Sequence, residues 1–292
     1  MKLALCIPHA AHKPGRHASL TRVLGFLGAE PSNDNAIPVT GFDQARVFSE
    51  REPHWKWSLR MWRWGLESGA DWLVQLQDDT VLPGNLTAVI EAMLTSMPAN
   101  DGVIGLMGVH PVGREIARLG GRYYRTRAWL LGNGYMLSRK FLERFIPWVE
   151  ANEARARVTC EDSFINAFCC ENGLDVWHPR PSLVDHDTSI PSTWMLDGHS
   201  ADNHAHRRAI VSWKDYSPRE LADPDFWKHP GQVKILVDAL GPICWFCLNE
   251  PAFINSADTG CCLGQQCVAK VVSHACGLMG PGGPNQSAPQ AR

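Results

Sequence analysis

The chain has 292 residues, of which 45% are hydrophobic and 20% charged, and its formal net charge at pH 7 is -2. This length suits one large α/β domain with a small appendage and leaves enough apolar residues for a substantial core. The near-neutral charge excludes a wholesale basic nucleic-acid-binding protein. The sequence contains no apolar run of about 18 residues, so we expect no membrane span. The amino terminus is typical of a buried strand and not of a signal peptide, so we expect a cytoplasmic protein, in the host cytoplasm if a phage encodes it.

Predicted strands and helices alternate along the first two thirds of the chain. The predicted strands are Lys2–Pro8, Ile37–Thr40, Trp72–Leu76, Val103–Met107, Trp129–Leu137 and Leu174–Trp177. The predicted helices are Arg16–Gly28, Trp55–Ser68, Leu86–Met97, Arg139–Glu150 and Cys160–Asn172, with an irregular basic segment at Arg114–Arg127. This alternation predicts an α/β fold with a mostly parallel central sheet and helices on both faces. We expect a catalytic domain over residues 1–240, a Cys-rich module over 241–278 and a disordered tail over 279–292.

Two adjacent carboxylates, Asp78 and Asp79, directly follow the buried strand Trp72–Leu76. In open α/β sheets, ligands bind outside the carboxyl ends of the strands. Mg²⁺ and Mn²⁺ bind one or two protein carboxylates and keep their other positions for phosphate and water, which suits a diphosphate leaving group. Side-by-side carboxylates also repel each other unless a cation or a donor compensates. The pair therefore predicts a divalent cation site, and a turn cap is the alternative interpretation.

A second group of candidates follows later in the chain. Glu161 and Asp162 open a predicted helix, where an acidic side chain complements the helix dipole. A carboxylate at that position also projects toward the strand-end crevice, where it is suited to deprotonate an acceptor hydroxyl. The imidazole of His186 would complete a mixed Asp/His metal site. Helix capping for the two acids, and an ordinary surface or core position for the histidine, are the alternatives.

Several short segments occur in an order and spacing that resemble one enzyme family. They are Cys6–His9, Gln75–Asp79, Val81–Pro83, Gly132–Ser138, Glu161–Ser163 and Pro181–His186. On these segments the chain, from about Lys2 to Trp213, resembles the GT-A fold glycosyltransferases, and within them the small phage-type enzymes. The resemblance implies sugar transfer from a nucleotide sugar, with a UDP-sugar as our guess, to an acceptor hydroxyl. The chain has Gln-Asp-Asp where the commonest motif of that fold is Asp-x-Asp.

The resemblance also implies roles for individual residues. Asp79 becomes the expected Mn²⁺ or Mg²⁺ ligand and His186 a second one, while Asp78 contacts the ribose or the metal and its waters. Asp162, or else Glu161, becomes the base if the enzyme inverts the anomeric configuration, and inverting and retaining chemistry both remain open. The other residues expected around the donor are Pro8, His9, Arg16, Asp43, Arg46, Gly132 and Asn133.

A basic stretch precedes the glycine motif. It contains Arg114, Arg118, Arg122, Tyr123, Tyr124, Arg125 and Arg127. Arginine forks suit phosphates and aromatic rings stack on bases, so we expect Arg122, Tyr124 and Arg125 to bind an acceptor that carries phosphates. Modified phage DNA is a candidate acceptor, and a solvated charged loop is the alternative. Trp57 is a further candidate for stacking on a sugar or a base, and a place in the core is its alternative.

Six of the ten cysteines fall in the last fifty residues. Zn²⁺ takes four nitrogen or sulfur ligands in a tetrahedron, and a Cys-x-x-Cys pair supplies two of them. The preferred ligands of a structural zinc ion are Cys244, Cys247, Cys262 and Cys267, with Cys261, His274 and Cys276 as alternates. Buried thiols and disulfides are the other interpretations.

Two rival functions use the same residues. A metal-dependent nucleotidyltransferase or phosphodiesterase also places carboxylates at strand ends. A zinc-containing nucleic-acid-binding protein without enzymatic activity would depend on the cysteine-rich segment. The released nucleotide distinguishes the first rival from a glycosyltransferase. The second predicts DNA binding that does not depend on Asp79.

Overall fold

A computed structural model describes residues 1–29, 36–49, 54–97, 101–108, 116–117, 120–127, 130, 132–153, 161–187, 189, 209 and 211–228. The predicted cysteine-rich module, its zinc ligands and the predicted tail lie outside the described residues, as do Arg114 and Arg118. Within the described ranges, no helix has the length and apolar character needed to cross a membrane.

The centre of the fold is a seven-stranded sheet in the described part of the chain. The strands of this sheet and of a smaller one are β1 (Leu3–His9), β2 (Gln44–Ser49), β3 (Trp72–Leu76), β4 (Thr80–Val81), β5 (Val103–Gly105), β6 (Tyr123–Arg127), β7 (Gly134–Ser138), β8 (Asp175–Pro179) and β9 (Asp185–His186). The large sheet has the order β2-β1-β3-β7-β5-β8-β6, and β4 pairs with β9 in a separate two-stranded sheet. Only β7 and β6 run against the other strands of the large sheet as described, so the predicted mostly parallel sheet is confirmed.

Helices cover both faces of this sheet, as the alternating pattern predicts. They are α1 (Arg16–Phe26), α2 (His54–Glu67), α3 (Leu86–Ser96), α4 (Arg139–Ala151), α5 (Glu161–Glu171) and α6 (Pro218–Leu221), with 3₁₀ helices at Trp213–Asp215 and Pro224–Trp227. Successive side chains of a strand point to opposite faces. Leu3, Leu5 and Ile7 of β1 therefore pack with α1 and α3, whereas Ala4 and Cys6 pack with α2, α4 and α5.

Two predicted elements were wrong. The second strand is Gln44–Ser49 and not Ile37–Thr40. Ile37 and Val39 are buried in the core, and their segment meets that strand through an isolated bridge between Ala36 and Arg46 and a hydrogen bond from Ile37 N–H to the Ala45 carbonyl. The basic segment predicted as irregular ends in the edge strand β6, which pairs with β8 in antiparallel register. In both places burial and strand pairing depend on distant parts of the chain, which a local pattern does not contain.

The parallel strands bring several chain segments to one edge of the sheet. In the register of β1 and β2, His9 lies beside Ser49, so these two strands end together. Strand β3 ends next to them, and the segment Gln77–Asp79 follows it directly. The pairing of β4 with β9 sets Thr80 opposite His186. This carboxyl edge therefore brings together the two carboxylates that follow β3, the end of β1 and His186.

Candidate active site

Asp78 links the end of β3 to the loop that follows β1. Its Oδ2 lies 2.8 Å from His9 Nδ1 and accepts a hydrogen bond from the backbone N–H of Ala10 at 3.2 Å. Its Oδ1 accepts from Arg16 Nη1 at 2.7 Å. Both carboxylate oxygens are thus engaged on the β1 side, away from His186. These contacts hold the β1 loop, and the predicted role of Asp78 at the metal or the ribose stays a prediction.

Asp79 faces the opposite way, toward His186. Its Oδ2 lies 3.0 Å from His186 Nε2 and 2.6 Å from Arg16 Nη1, and the residue is 1% exposed. Burial alone would raise the pKa of Asp79, but hydrogen bonding and charge from His186 and Arg16 outweigh it and hold that pKa below its ordinary value. Asp79 is therefore ionised at neutral pH in spite of its burial.

Whether this pair fits a divalent cation depends on the donor atoms that it offers. Asp79 Oδ1 is buried and has no hydrogen-bond partner among the described residues. A carboxylate with an open oxygen beside an imidazole is a donor set that Mn²⁺ or Mg²⁺ accepts when phosphate and water fill the remaining positions. No group of three His, Cys, Asp or Glu side chains in the described ranges would hold a metal by itself. Asp79 and His186 thus fit a cation that a bound phosphate ligand helps to hold.

Glu161 is fixed in a buried polar network at the start of α5. Its Oε1 accepts from Gln75 Nε2 at 3.1 Å and from Gln77 Nε2 at 3.4 Å, and the residue is 3% exposed. Tyr135 donates its hydroxyl proton to the Gln75 side-chain oxygen. Burial, followed by the negative charge of Glu161, raises the pKa of Tyr135 well above its ordinary value, so the phenol stays a donor. The network holds Glu161 in one orientation and leaves it little exposure.

Asp162 is the more accessible of the two acids in α5. It is half-buried, and its Oδ1 accepts from the backbone N–H of Ser163 at 2.7 Å. A Cβ atom added at Gly132 would lie 3.8 Å from Asp162 Oδ2, 3.4 Å from Glu161 Oε1 and 3.1 Å from Gln77 Nε2. Gly132 therefore borders both acids without covering either one, and Asp162 has the exposure that a base needs.

Other donor-side candidates also lie at this edge. Pro8 and His9 end β1, and the buried Arg16 begins α1 beneath both carboxylates. The carbonyl of Asn133 accepts from Gln77 N–H at 3.3 Å and from Thr80 Oγ1 at 2.8 Å. These contacts tie the glycine motif to the carboxylate segment. Contact of any of these residues with a donor stays a prediction.

Three of the candidates are placed elsewhere. Asp43 precedes β2 instead of following it, and its Oδ2 accepts from Leu3 N–H at 2.7 Å, at the amino edge of the sheet. Arg46 lies in the middle of β2 with its guanidinium 5.2 Å from the Phe48 ring centre. Trp57 is 2% exposed in the core and cannot stack on a sugar. Burial corrects the prediction for Trp57. Strand position sets Asp43 and Arg46 away from the carboxyl edge, and their contact with a donor stays a prediction.

The described side chains of the basic segment contact other parts of the protein. Tyr124 is 1% exposed, with its ring stacked on His178 and the Arg180 guanidinium 4.2 Å from its centre. Arg122 packs its guanidinium 3.8 Å from the Phe226 ring centre, and Arg125 lies 3.4 Å from an Asp175 carboxylate oxygen. All three belong to β6 or its approach, with β7, β5 and β8 between them and β3. The prediction that they bind an acceptor is corrected for this reason.

Sequence reasoning missed the side chains that support Glu161. Gln75 lies in the otherwise apolar strand β3 and is 0% exposed. A buried amide needs partners, so a glutamine within such a strand is a usable signal for a polar network. Its partner, however, is 86 residues away along the chain, and no local pattern could identify it.

No family model and no curated protein matches the sequence. Among solved structures, the chain is similar to a Drosophila beta-1,4-galactosyltransferase 7 mutant in complex with manganese, UDP-Gal and xylobiose. The identity is 12%, the match covers 74% of this chain and 83% of that chain, and the TM-score is 0.35. At these values the similarity decides neither family nor function, and any functional conclusion depends on the site itself.

Proposed function

We propose that this protein is a metal-dependent glycosyltransferase of the GT-A type, which transfers a sugar from a nucleoside diphosphate sugar to an acceptor hydroxyl. One observation carries the proposal. The ionised Asp79 with its open oxygen, the adjacent His186, and the acids Glu161 and Asp162 share the carboxyl edge of the sheet, with Gly132 beside the acids. Glycosyl transfer needs both functions: charge compensation for a leaving diphosphate and a base for the attacking hydroxyl.

Each part of the reaction has a residue suited to it. Asp79 and His186 would hold the divalent cation, which when bound stabilises the negative charge of the leaving diphosphate. Asp162 takes the proton of the acceptor hydroxyl while that oxygen bonds to the anomeric carbon. The bond from the anomeric carbon to the phosphate oxygen breaks, and the nucleoside diphosphate leaves with the electron pair. This assignment of Asp162 implies inversion at the anomeric carbon.

Glu161 supports this chemistry in another way. The two amides that donate to its carboxylate fix the start of α5, and Asp162 is the next residue. A base whose backbone is held by a buried network loses little freedom on reaching the reactive geometry. Glu161 is thus a positioning residue in this proposal, and Asp162 is the catalytic residue.

A nucleotidyltransferase that uses two metal ions is less compatible with these contacts. Two-metal mechanisms bridge a pair of close cations with carboxylates. Here Asp78 already uses both oxygens on His9, Ala10 and Arg16, which leaves Asp79 as the acid open to a cation at the end of β3. A single cation beside a general base suits glycosyl transfer better.

The acceptor is a hydroxyl compound whose class is open to experiment. We propose a saccharide as the first acceptor to test. The phosphate-bearing DNA acceptor predicted from sequence remains a second one, although Arg122 and Arg125 now have partners within the protein. Slow transfer of the sugar to water gives a readout that needs no acceptor.

The test measures the nucleotide released from a panel of nucleotide sugars, UDP-sugars first, with Mn²⁺ present. We expect nucleoside diphosphate as the product. Asp79→Asn and Asp162→Asn should each lower the release of nucleoside diphosphate at least about 100-fold, because each variant lacks one of the two required functions. The matched control is Asp175→Asn, at the amino end of β8 next to Arg125, which should leave release unchanged.

Two results would contradict the proposal. Release of pyrophosphate or of nucleoside monophosphate would indicate the nucleotidyltransferase or phosphodiesterase chemistry instead. Wild-type turnover in both the Asp79→Asn and the Asp162→Asn variants would remove the assigned site.

A further inference from the structure

Arg16 occupies an unusual position for a cationic side chain. It is 2% exposed, although it begins helix α1 at a loop that runs over the sheet edge. Gly15, which precedes it, has a φ of 77° and no side chain that could cap the helix. This left-handed turn, which glycine adopts without strain, brings the helix start close to the carboxylates.

The guanidinium bridges the two carboxylates with a single nitrogen. Arg16 Nη1 lies 2.7 Å from Asp78 Oδ1 and 2.6 Å from Asp79 Oδ2. Two buried carboxylates side by side repel each other strongly in a medium of low dielectric. An arginine stays protonated at any pH at which the protein is folded, so this compensation is permanent. The bridge accounts for the close approach of the two acids at one strand end.

We propose that Arg16 is a built-in counter-cation, which makes cation binding at Asp79 depend on the donor diphosphate. The inference rests on the proposed cation site at Asp79 and His186. A divalent cation that enters the free protein meets a carboxylate already shared with a full positive charge. The remaining acceptor of Asp79 is Oδ1, buried and without a partner among the described residues.

A bound diphosphate changes this balance. It brings two or more negative charges beside the cation and supplies oxygen ligands in addition to those of the described residues. The repulsion between the cation and Arg16 is then offset, and the cation and the nucleotide bind together. Arg16 thereby couples the two ligands, and the free protein is left with a low affinity for metal alone.

The experiment measures Mn²⁺ binding to the full-length protein by electron paramagnetic resonance, with and without UDP. For the wild-type protein, UDP should raise the Mn²⁺ affinity at least about tenfold, as expected for charges a few ångströms apart in a partly buried site. Arg16→Gln, which removes the charge, should raise the affinity of the UDP-free protein by about the same factor. Arg16→Lys keeps the charge and should behave like the wild type.

Two controls separate this inference from the proposed function. Asp79→Asn should abolish Mn²⁺ binding in each background. Circular dichroism checks that each variant is folded. Mn²⁺ binding that persists in Asp79→Asn would overturn the cation site itself, and the Arg16 inference with it. Mn²⁺ binding that depends on Asp79, but with equal affinity in the wild type and in folded Arg16→Gln, overturns the Arg16 inference alone. Where Arg16→Gln does not fold, the wild-type titration decides, and equal Mn²⁺ affinity with and without UDP contradicts the inference.

Discussion

Gly132 has no side chain, and this matters because it lies beside the two acids of the candidate site. The side chains of Gln77, Glu161 and Asp162 all lie within 4 Å of the position that a Cβ at residue 132 would take. At 3.1 Å from Gln77 Nε2, such a methyl group is closer than ordinary van der Waals contact allows. A glycine at this position therefore lets the three side chains lie where they do, whereas a larger residue would require Gln77 to shift.

Gly132→Ala should consequently impair turnover more than stability. The methyl group pushes Gln77 against Glu161 and shifts the start of α5, and we expect donor turnover to fall at least about tenfold. The matched control is Gly25→Ala, in helix α1, where a Cβ meets nothing within 4 Å. That variant should keep wild-type turnover and gain up to about 1 kcal/mol of stability from helix propensity. Equal turnover in the two variants would refute this account of Gly132.

Strand β6 and the 3₁₀ helix Pro224–Trp227 form one structural unit. Arg122 Nε donates to the Phe226 carbonyl at 2.7 Å, and the same guanidinium covers the Phe226 ring. Trp227 is 0% exposed and lies next to Tyr123, with their ring centres 6.1 Å apart. Arg122 thus attaches a late part of the chain to the edge of the sheet, and its charge is used within the protein.

Arg122→Ala should therefore lower stability without affecting the reaction. It leaves the Phe226 carbonyl without this donor and removes a cation–π contact, so we expect a loss of about 1–3 kcal/mol in the free energy of unfolding. Arg125→Ala, which removes a partly exposed ion pair of 3.4 Å, should cost less than about 1 kcal/mol. Urea denaturation measures both variants. A salt-dependent loss of acceptor binding in Arg122→Ala, at unchanged stability, would restore the acceptor role predicted from sequence.

Apolar periodicity is sufficient to predict elements that bury one continuous face. The helix predicted at Arg139–Glu150 is observed as Arg139–Ala151, because Phe141, Phe145 and Val149 recur at helical spacing and face the core. The same reasoning fails for β2, whose alternation of buried and exposed residues is weaker than that of the segment before it. Strand direction is also absent from a local pattern, so the antiparallel β7 within a parallel region could not be predicted.

At the scale of the whole molecule, the site exists only when the complete sheet is formed. Asp79 meets His186 across 107 residues, and Arg16 meets Asp78 across 62. The sequence points to the acids, since they follow a predicted strand or begin a predicted helix, whereas His186 was predicted as the residue that would complete an Asp/His site. It does not reveal that Arg16 bridges the acids or that amides hold Glu161, because those contacts depend on side-chain packing between distant segments. Residue types at strand ends were thus predictable, whereas their partners were not.

The cysteine-rich segment is the remaining prediction for the whole chain, and it lies outside the described residues. Four thiolates in a tetrahedron bind zinc far more tightly than oxygen ligands do, so we expect about one zinc ion per chain after purification without chelator. Replacing Cys244 and Cys247 together with Ala should release this zinc and leave Mn²⁺ binding at Asp79 unchanged. Cys6→Ala, in the buried strand β1, is the control and should retain the zinc. Elemental analysis decides between the outcomes, since a chain without zinc, or a double variant that keeps it, contradicts the module.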